Sequence, residues 1–283
     1  MIIWIASYPK SGNTWVKSLL SAYLYSKDGT FNNFDLLKKI EQFPSKRYFE
    51  FFLKDFKDIK KVSNYWIAAQ DRINLLSEGT TFLKTHSALC TLENNSFTNK
   101  SNTKAAICVV RDPRNIITSF SHHYSLNIEE SFNFLNNRKK MLLENEYGHK
   151  DFAVATVLGN WVDHYKSWKN LKFAPLLIIK YEDLITDPKK TFILILNFLN
   201  KFINIKIDNK KIENVINSCS FDRLAEKEKI EGFKESIFSK KYNKNLKFFN
   251  LGQKNDWKNL LDYETGKEIK KKFYAEMKEL NYY

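Results

Sequence analysis

Glycine and proline are scarce in this chain, 8 and 5 residues among 283. No Pro/Gly/Ser-rich linker divides it, so one domain over residues 1–283 is expected. Cysteine is scarcer still. Cys90, Cys108 and Cys219 are odd in number, far apart and without metal-ligand spacing. Neither a disulfide framework nor a metal site is expected, and a reducing, cytoplasmic setting fits. No apolar run approaches the roughly 18–20 residues of a membrane span. The opening Met1-Ile2-Ile3-Trp4-Ile5-Ala6 is apolar but has no basic segment before it and meets Lys10 soon after, so it does not read as a signal peptide. No repeat of roughly 20–50 residues is visible, which sets solenoids and propellers aside.

Apolar residues, by contrast, make up 43% of the chain and aromatics 15%, which is a globular composition. Positive charge is also in surplus. Lys and Arg number 46 against 32 Asp and Glu, a net charge of +14. Such a surplus raises nucleic acid, an acidic membrane surface or a small polyanion as partner. No RNP, KH or zinc-finger pattern supports nucleic acid. Lys, Asn, Ile and Phe are all frequent, as in a gene biased toward A and T, so composition alone accounts for much of the excess.

Four short apolar runs read as strands: Ile2–Ser7, Thr81–Lys84, Ala105–Val110 and Leu176–Lys180. Each is apolar at consecutive positions, the mark of strands covered on both faces. Helical periodicity appears in Thr14–Tyr25, Ile67–Leu76, Phe132–Leu143, Ala153–Trp168, Pro188–Leu199 and Lys267–Leu280. Asn94–Lys104 reads as a polar loop. Alternating strands and helices predict an α/β domain with a central parallel sheet flanked by helices. Ligands of such sheets bind beyond the carboxyl ends of the strands, so the residues that follow each run matter most.

After the first run comes Ser7-Tyr8-Pro9-Lys10-Ser11-Gly12-Asn13-Thr14-Trp15, opening a helix. A strand, a tight loop and a helix N-terminus form a phosphate cradle. Compared with the nucleoside-triphosphate loop, Gly12 and Thr14 match, but Asn13 stands where the loop lysine belongs, and the cation is Lys10. That displacement speaks against an ordinary Mg-nucleotide enzyme, though a P-loop nucleoside or small-molecule kinase stays the alternative. Lys84-Thr85-His86 follows the second run. A histidine there suits general-base work on an acceptor hydroxyl. Arg111-Asp112-Pro113-Arg114 follows the third, with Ser119, His122 and His123 on the next helix. Arg111 makes a second anion site and Asp112 a helix cap, while Arg114 reads as an exposed helix charge. Tyr181-Glu182-Asp183-Leu184 follows the fourth, with Thr186 or Asp187 capping a helix begun by Pro188.

Taken together, these segments resemble the cytosolic-type sulfotransferases, which use 3′-phosphoadenosine 5′-phosphosulfate (PAPS) and release 3′-phosphoadenosine 5′-phosphate (PAP). The Tyr8–Trp15 segment resembles the family's 5′-phosphosulfate loop. Arg111 through Ser119 resembles its 3′-phosphate motif, and Lys84-Thr85-His86 the segment with its catalytic base. Gly159–His164, Tyr181–Leu184 and Ser220-Phe221 match further family segments. The resemblance implies a P-loop-like fold and metal-independent sulfuryl transfer to a hydroxyl or amine of a small molecule. It implies catalytic roles for His86, Lys10 and Lys84. It implies donor contacts from Lys10, Ser11, Gly12, Asn13, Thr14, Trp15, Arg111, Ser119, Tyr181, Phe221 and Gly252. His122, His123 and Tyr124 would border the acceptor, in a pocket drawn from Tyr23–Asn74 and Ser121–Tyr147. No nucleic-acid partner follows from it. The chain departs from the family at Asn250-Leu251-Gly252, where Arg-Lys-Gly is expected. The family's dimerisation segment is not recognisable after Trp257, which leaves the oligomeric state open.

Overall fold

The computed structural model describes residues 1–143, 154–239 and 241–282. At its centre lie five strands: β1 (Ile2–Ser7), β2 (Glu41–Gln42), β3 (Thr81–Thr85), β4 (Thr103–Val110) and β5 (Leu176–Lys180). Their order is β2-β3-β1-β4-β5, and every pairing is parallel. The four strands legible as apolar runs are all present. Strand β2 has no apolar signature; it is two polar residues long and is continued by the Phe43 N–H donating to the Lys84 carbonyl (2.8 Å).

Side chains alternate across the sheet as strand geometry requires. Trp4 and Ala6 of β1, with Ala106 and Cys108 of β4, enter a core that contains Trp66, Phe97 and Trp168. Ile3, Ile5, Ala105 and Ile107 enter the opposite core, against Val16 and Leu20 and against Phe192, Ile195 and Leu196. Both faces are therefore covered, which explains the unbroken apolar runs. Each fully buried Leu or Ile contributes about 1.5–3 kcal/mol. The buried indole N–H of Trp168 is satisfied by the Ser87 carbonyl at 2.9 Å.

Helix α1 (Asn13–Tyr25) follows β1, and α2 (Pro113–Tyr124) follows β4. Pro113 occupies the first turn of α2, and the Asp112 carboxylate accepts from the Arg114 N–H (2.9 Å). Asp187 caps the helix Pro188–Asn200 by accepting from Lys190 N–H. Helix α3 (Phe221–Glu231) was not apparent in the sequence, because charged residues dominate it.

Several expected helices have other bounds. In place of the expected 132–143, the helix runs Ile128–Asn136, opened earlier by a reciprocal Asn127–Glu130 capping box. Met141–Leu142 then pairs with Thr156–Val157. Ala153 lies outside the described residues; the helix expected from it is Trp161–Lys169, started by the Asn160 side chain accepting from Asp163 N–H. The last expected helix is two, Tyr263–Lys272 and Tyr274–Glu279. The polar loop Asn94–Lys104 holds a strand residue pair, Asn95–Ser96, and the start of β4. Arg114 is not exposed. It is 3% accessible, because its guanidinium pairs with Asp112 (2.6 Å), lies 3.8 Å from the Trp257 ring centroid and donates to the Tyr282 carbonyl.

Candidate active site

The loop after β1 turns on two left-handed residues, Lys10 (φ 64°) and Gly12 (φ 99°). At Gly12 a Cβ would lie 2.5 Å from the Tyr181 ring, so only glycine fits both the dihedral and the space. The Asn13 side-chain amide donates to the Ile5 carbonyl (2.9 Å) and to Ser7 Oγ (3.1 Å), bracing the loop from inside. At the start of α1 the Gly12 carbonyl takes the Trp15 and Val16 N–H groups (3.0 and 3.1 Å), which leaves the Asn13 and Thr14 N–H groups as the first-turn donors without an intrahelical acceptor. Ser11 Oγ is buried without a hydrogen-bond partner. Arg111 ties the loop to the end of β4 by donating to the Lys10 carbonyl (2.8 Å). Its guanidinium lies 4.1 Å from the Tyr181 ring centroid, and its Nε is buried and unpaired.

His86 follows β3, the neighbour of β1. Its Nδ1 is 2.8 Å from the Ser7 carbonyl. A carbonyl only accepts, so Nδ1 carries the proton and the neutral ring's lone pair sits on Nε2. Burial first, then the nearby Lys84 ammonium, lowers its pKa to about 3. Lys10 as a residue keeps some exposure, but its ammonium end is enclosed. Burial lowers it to about 7; Arg111 and Lys84 add to that effect, while Glu235 and Glu228 oppose it. The Lys10 ammonium rests 3.9 Å from the Phe248 ring centroid.

One cavity joins these groups at the carboxyl ends of the strands. Lys10, Gly12, Asn13, Thr14 and Trp15 line it from the first loop and α1, and Lys84 and His86 from the end of β3. Arg111, Ser119, His122, His123 and Tyr124 line it from the end of β4 and from α2, and Tyr181, Phe221 and Gly252 belong to the same lining. Of the individually named residues, Ser11 alone stands outside the lining; of the stretches expected to shape the acceptor pocket, Tyr23–Asn74 contributes Gln42 and Ser121–Tyr147 contributes His122, His123 and Tyr124, with 144–147 outside the described residues. Trp15 and Tyr181 meet edge to face (5.8 Å), and the Trp15 indole N–H donates to the Cys219 carbonyl. Gly252 (φ 53°) lies so close above Phe221 that a Cβ would approach its ring to 2.7 Å.

Several lining residues belong to no motif in the sequence, though Gln42 falls in the expected acceptor stretch Tyr23–Asn74. Gln42 comes from β2, and Thr118 and Asn255 face each other through a 2.9 Å hydrogen bond. Phe248 and Phe249 belong to an aromatic cluster with Phe233 and Phe34. Glu235 is the unexpected charge. Its Oε2 accepts from Thr14 Oγ1 (2.9 Å) and its Oε1 from Lys84 Nζ (3.0 Å). It sits in a Lys-rich stretch with no motif around it.

The sequence profile of the sulfotransferase domain matches residues 2–281. The chain belongs to the sulfotransferase domain family. It is 26% identical over 228 residues to luciferin sulfotransferase of Photinus pyralis, across 78% of this chain and only 55% of that protein. With amine sulfotransferase of Oryctolagus cuniculus the identity is 21% over 281 residues, covering 98% of this chain and 81% of the relative. Retinol dehydratase, solved in complex with androsterone and the inactive cofactor PAP, superposes with a TM-score of 0.60 at 17% identity, over 98% of this chain and 80% of that one. A mouse sulfotransferase complexed with PAP gives 0.56 at 20%, over 97% and 83%. These structures share the P-loop-like fold. In this member of the sulfotransferase family, Asn250 and Leu251 line the cavity, whereas Lys244, Lys247 and Lys254 are exposed and do not. Lys10, Lys84 and Arg111 are the lysine and arginine side chains that line it among the described residues.

Proposed function

We propose that the chain moves a sulfuryl group from PAPS to a hydroxyl or amine of a small molecule, by in-line transfer without a metal ion. The observation that carries this reading is the convergence of Lys10, Thr14, Lys84 and His86 on one cavity from two adjacent parallel strand ends. The residues present fit the donor. Ser11 Oγ and Arg111 Nε are buried polar atoms without a partner, and the Thr14–Lys84 pair already holds a carboxylate. When bound, PAPS supplies the activated sulfuryl group.

The chain's own groups then divide the work. Thr14 Oγ1 and the Asn13 and Thr14 N–H groups at the start of α1 bind the 5′-phosphate. Arg111 and Ser119 bind the 3′-phosphate, and Trp15, Tyr181 and Phe221 flank the base. Lys10 offsets the charge that grows on the leaving phosphate oxygen, and Lys84 supports the transferring group. His86 takes the acceptor proton at Nε2, the nitrogen that carries the lone pair. His122, His123 and Tyr124 border the acceptor, on the same cavity wall. Retinol dehydratase structures hold retinol and androsterone, which supports a small-molecule acceptor here.

Titration calorimetry with PAP tests the donor site. His86→Ala should cut turnover of radiolabelled donor about 10²–10⁴-fold and leave PAP affinity unchanged. No measurable PAP binding by the intact chain would sink the reading.

A further inference from the structure

After α3 ends at Gly232 (φ 72°), Glu235, Phe248 and Phe249 reach the cavity lining before Gly252. This segment is tied back to α3 through one carboxylate: Glu228 accepts from the Phe248 N–H (2.6 Å), the Phe249 N–H (2.9 Å) and Ser236 Oγ. The segment then reaches three groups assigned above to the donor's 5′ end. Glu235 holds Thr14 and Lys84 through its two oxygens, and Phe248 lies under the Lys10 ammonium. The Glu235 side chain is 17% exposed and Lys84 4%, so this contact is an enclosed ion pair and not a surface bridge.

A carboxylate presents two anionic oxygens, as one edge of a phosphate or sulfuryl group does. We propose that Glu235 is an internal competitor of the donor's 5′-phosphosulfate: it occupies the Thr14–Lys84 cradle in the unliganded protein and must leave when the donor binds. This inference rests on the donor reading above and goes beyond it in assigning a role to a residue outside every recognised motif. Two anions cannot share one cradle of this size without repulsion. Burial favours the neutral acid, but Lys84, Lys17 and the Thr14 hydroxyl outweigh it and hold the Glu235 carboxyl down to about 2, so the competitor stays charged. Donor affinity is then reduced by the fraction of molecules in which the cradle is occupied.

Calorimetry on wild type and Glu235→Gln, with PAP and with adenosine 3′-monophosphate, separates this role from a structural one. Glu235→Gln should bind PAP on the order of tenfold more tightly, as a cradle largely closed in wild type implies, and bind adenosine 3′-monophosphate, which lacks the 5′-phosphate, unchanged. Equal or weaker PAP binding by the variant overturns the inference, as does an equal gain for both nucleotides. Hydrogen exchange on the wild-type chain needs no variant: PAP should raise exchange at 233–239, and unchanged or slower exchange there counts against displacement. Failure of both proteins to bind PAP overturns the donor reading and this inference with it. PAP binding by both with equal affinity overturns this inference alone.

Discussion

His86 and Lys10 carry opposite burdens of burial. Burial keeps His86 neutral, with its lone pair fixed on Nε2 by the Ser7 carbonyl, so the ring needs no deprotonation before it can act as a base. Burial makes the Lys10 charge costly to keep, and its pKa falls to about 7. Under the proposed function this group must be charged to meet a phosphate, so donor capture should be strongest below pH 7 and weaken as pH rises through it. For kcat/KM, which reports the free enzyme, we expect a fall approaching tenfold per pH unit above about 7. No inflection is expected near the ordinary histidine value between pH 5 and 7. Lys10→Arg, whose guanidinium stays ionised, should flatten the alkaline limb while lowering the plateau. A wild-type profile level from pH 7 to 9 contradicts this assignment. These residues were legible in the sequence because each lies just beyond an apolar run whose strand character is unmistakable. Glu235 was not. It is 151 positions from Lys84, and only the folded chain brings them together. Arg114 was misread for a related reason: its partners are a neighbouring carboxylate, Trp257 and the Tyr282 carbonyl, and two of these are far away in sequence.

At the level of elements, the loops do more than connect. The turn before α1 exists because Gly12 yields space to Tyr181, and Gly252 likewise yields space to the Phe221 ring. Gly252→Ala forces a Cβ into the Phe221 ring at a left-handed dihedral. It should cost about 1–3 kcal/mol of stability, measured by urea unfolding, and weaken PAP binding in calorimetry. Unaltered PAP affinity would count against the proposed role of Phe221 beside the donor base. The type of most major elements was readable from periodicity and capping residues. Their ends were often not, and the reason is specific: the Asn127–Glu130 capping box and the Asn160 cap start helices at positions where the apolar period gives no break. Strand β2 escaped notice because two polar residues have no period at all.

For the whole molecule, the +14 charge has a local and a diffuse part. Lys10, Lys84 and Arg111 are gathered on one cavity, while Lys244, Lys247 and Lys254 stay at the surface. The fold itself depends on the two apolar cores. Phe97 is fully buried among the rings of Trp4, Phe43, Trp66 and Trp168 although its neighbours in sequence are polar. Phe97→Ala should therefore lose about 3–5 kcal/mol in equilibrium urea unfolding; a loss below about 1 kcal/mol, that of an ordinary surface change, would show that the core closes around the gap.

The position of β1 has a consequence for how the chain is made. Its six residues are all buried between β3 and β4, which begin only at Thr81 and Thr103. On the ribosome the strand emerges well before either neighbour. At roughly 5–20 residues per second it waits on the order of 5–20 seconds for the second of them. Through that interval Ile2, Ile3, Trp4 and Ile5 form a bare, β-prone segment with nothing to pair with. The central strand of the finished sheet is thus made before either of the strands it pairs with.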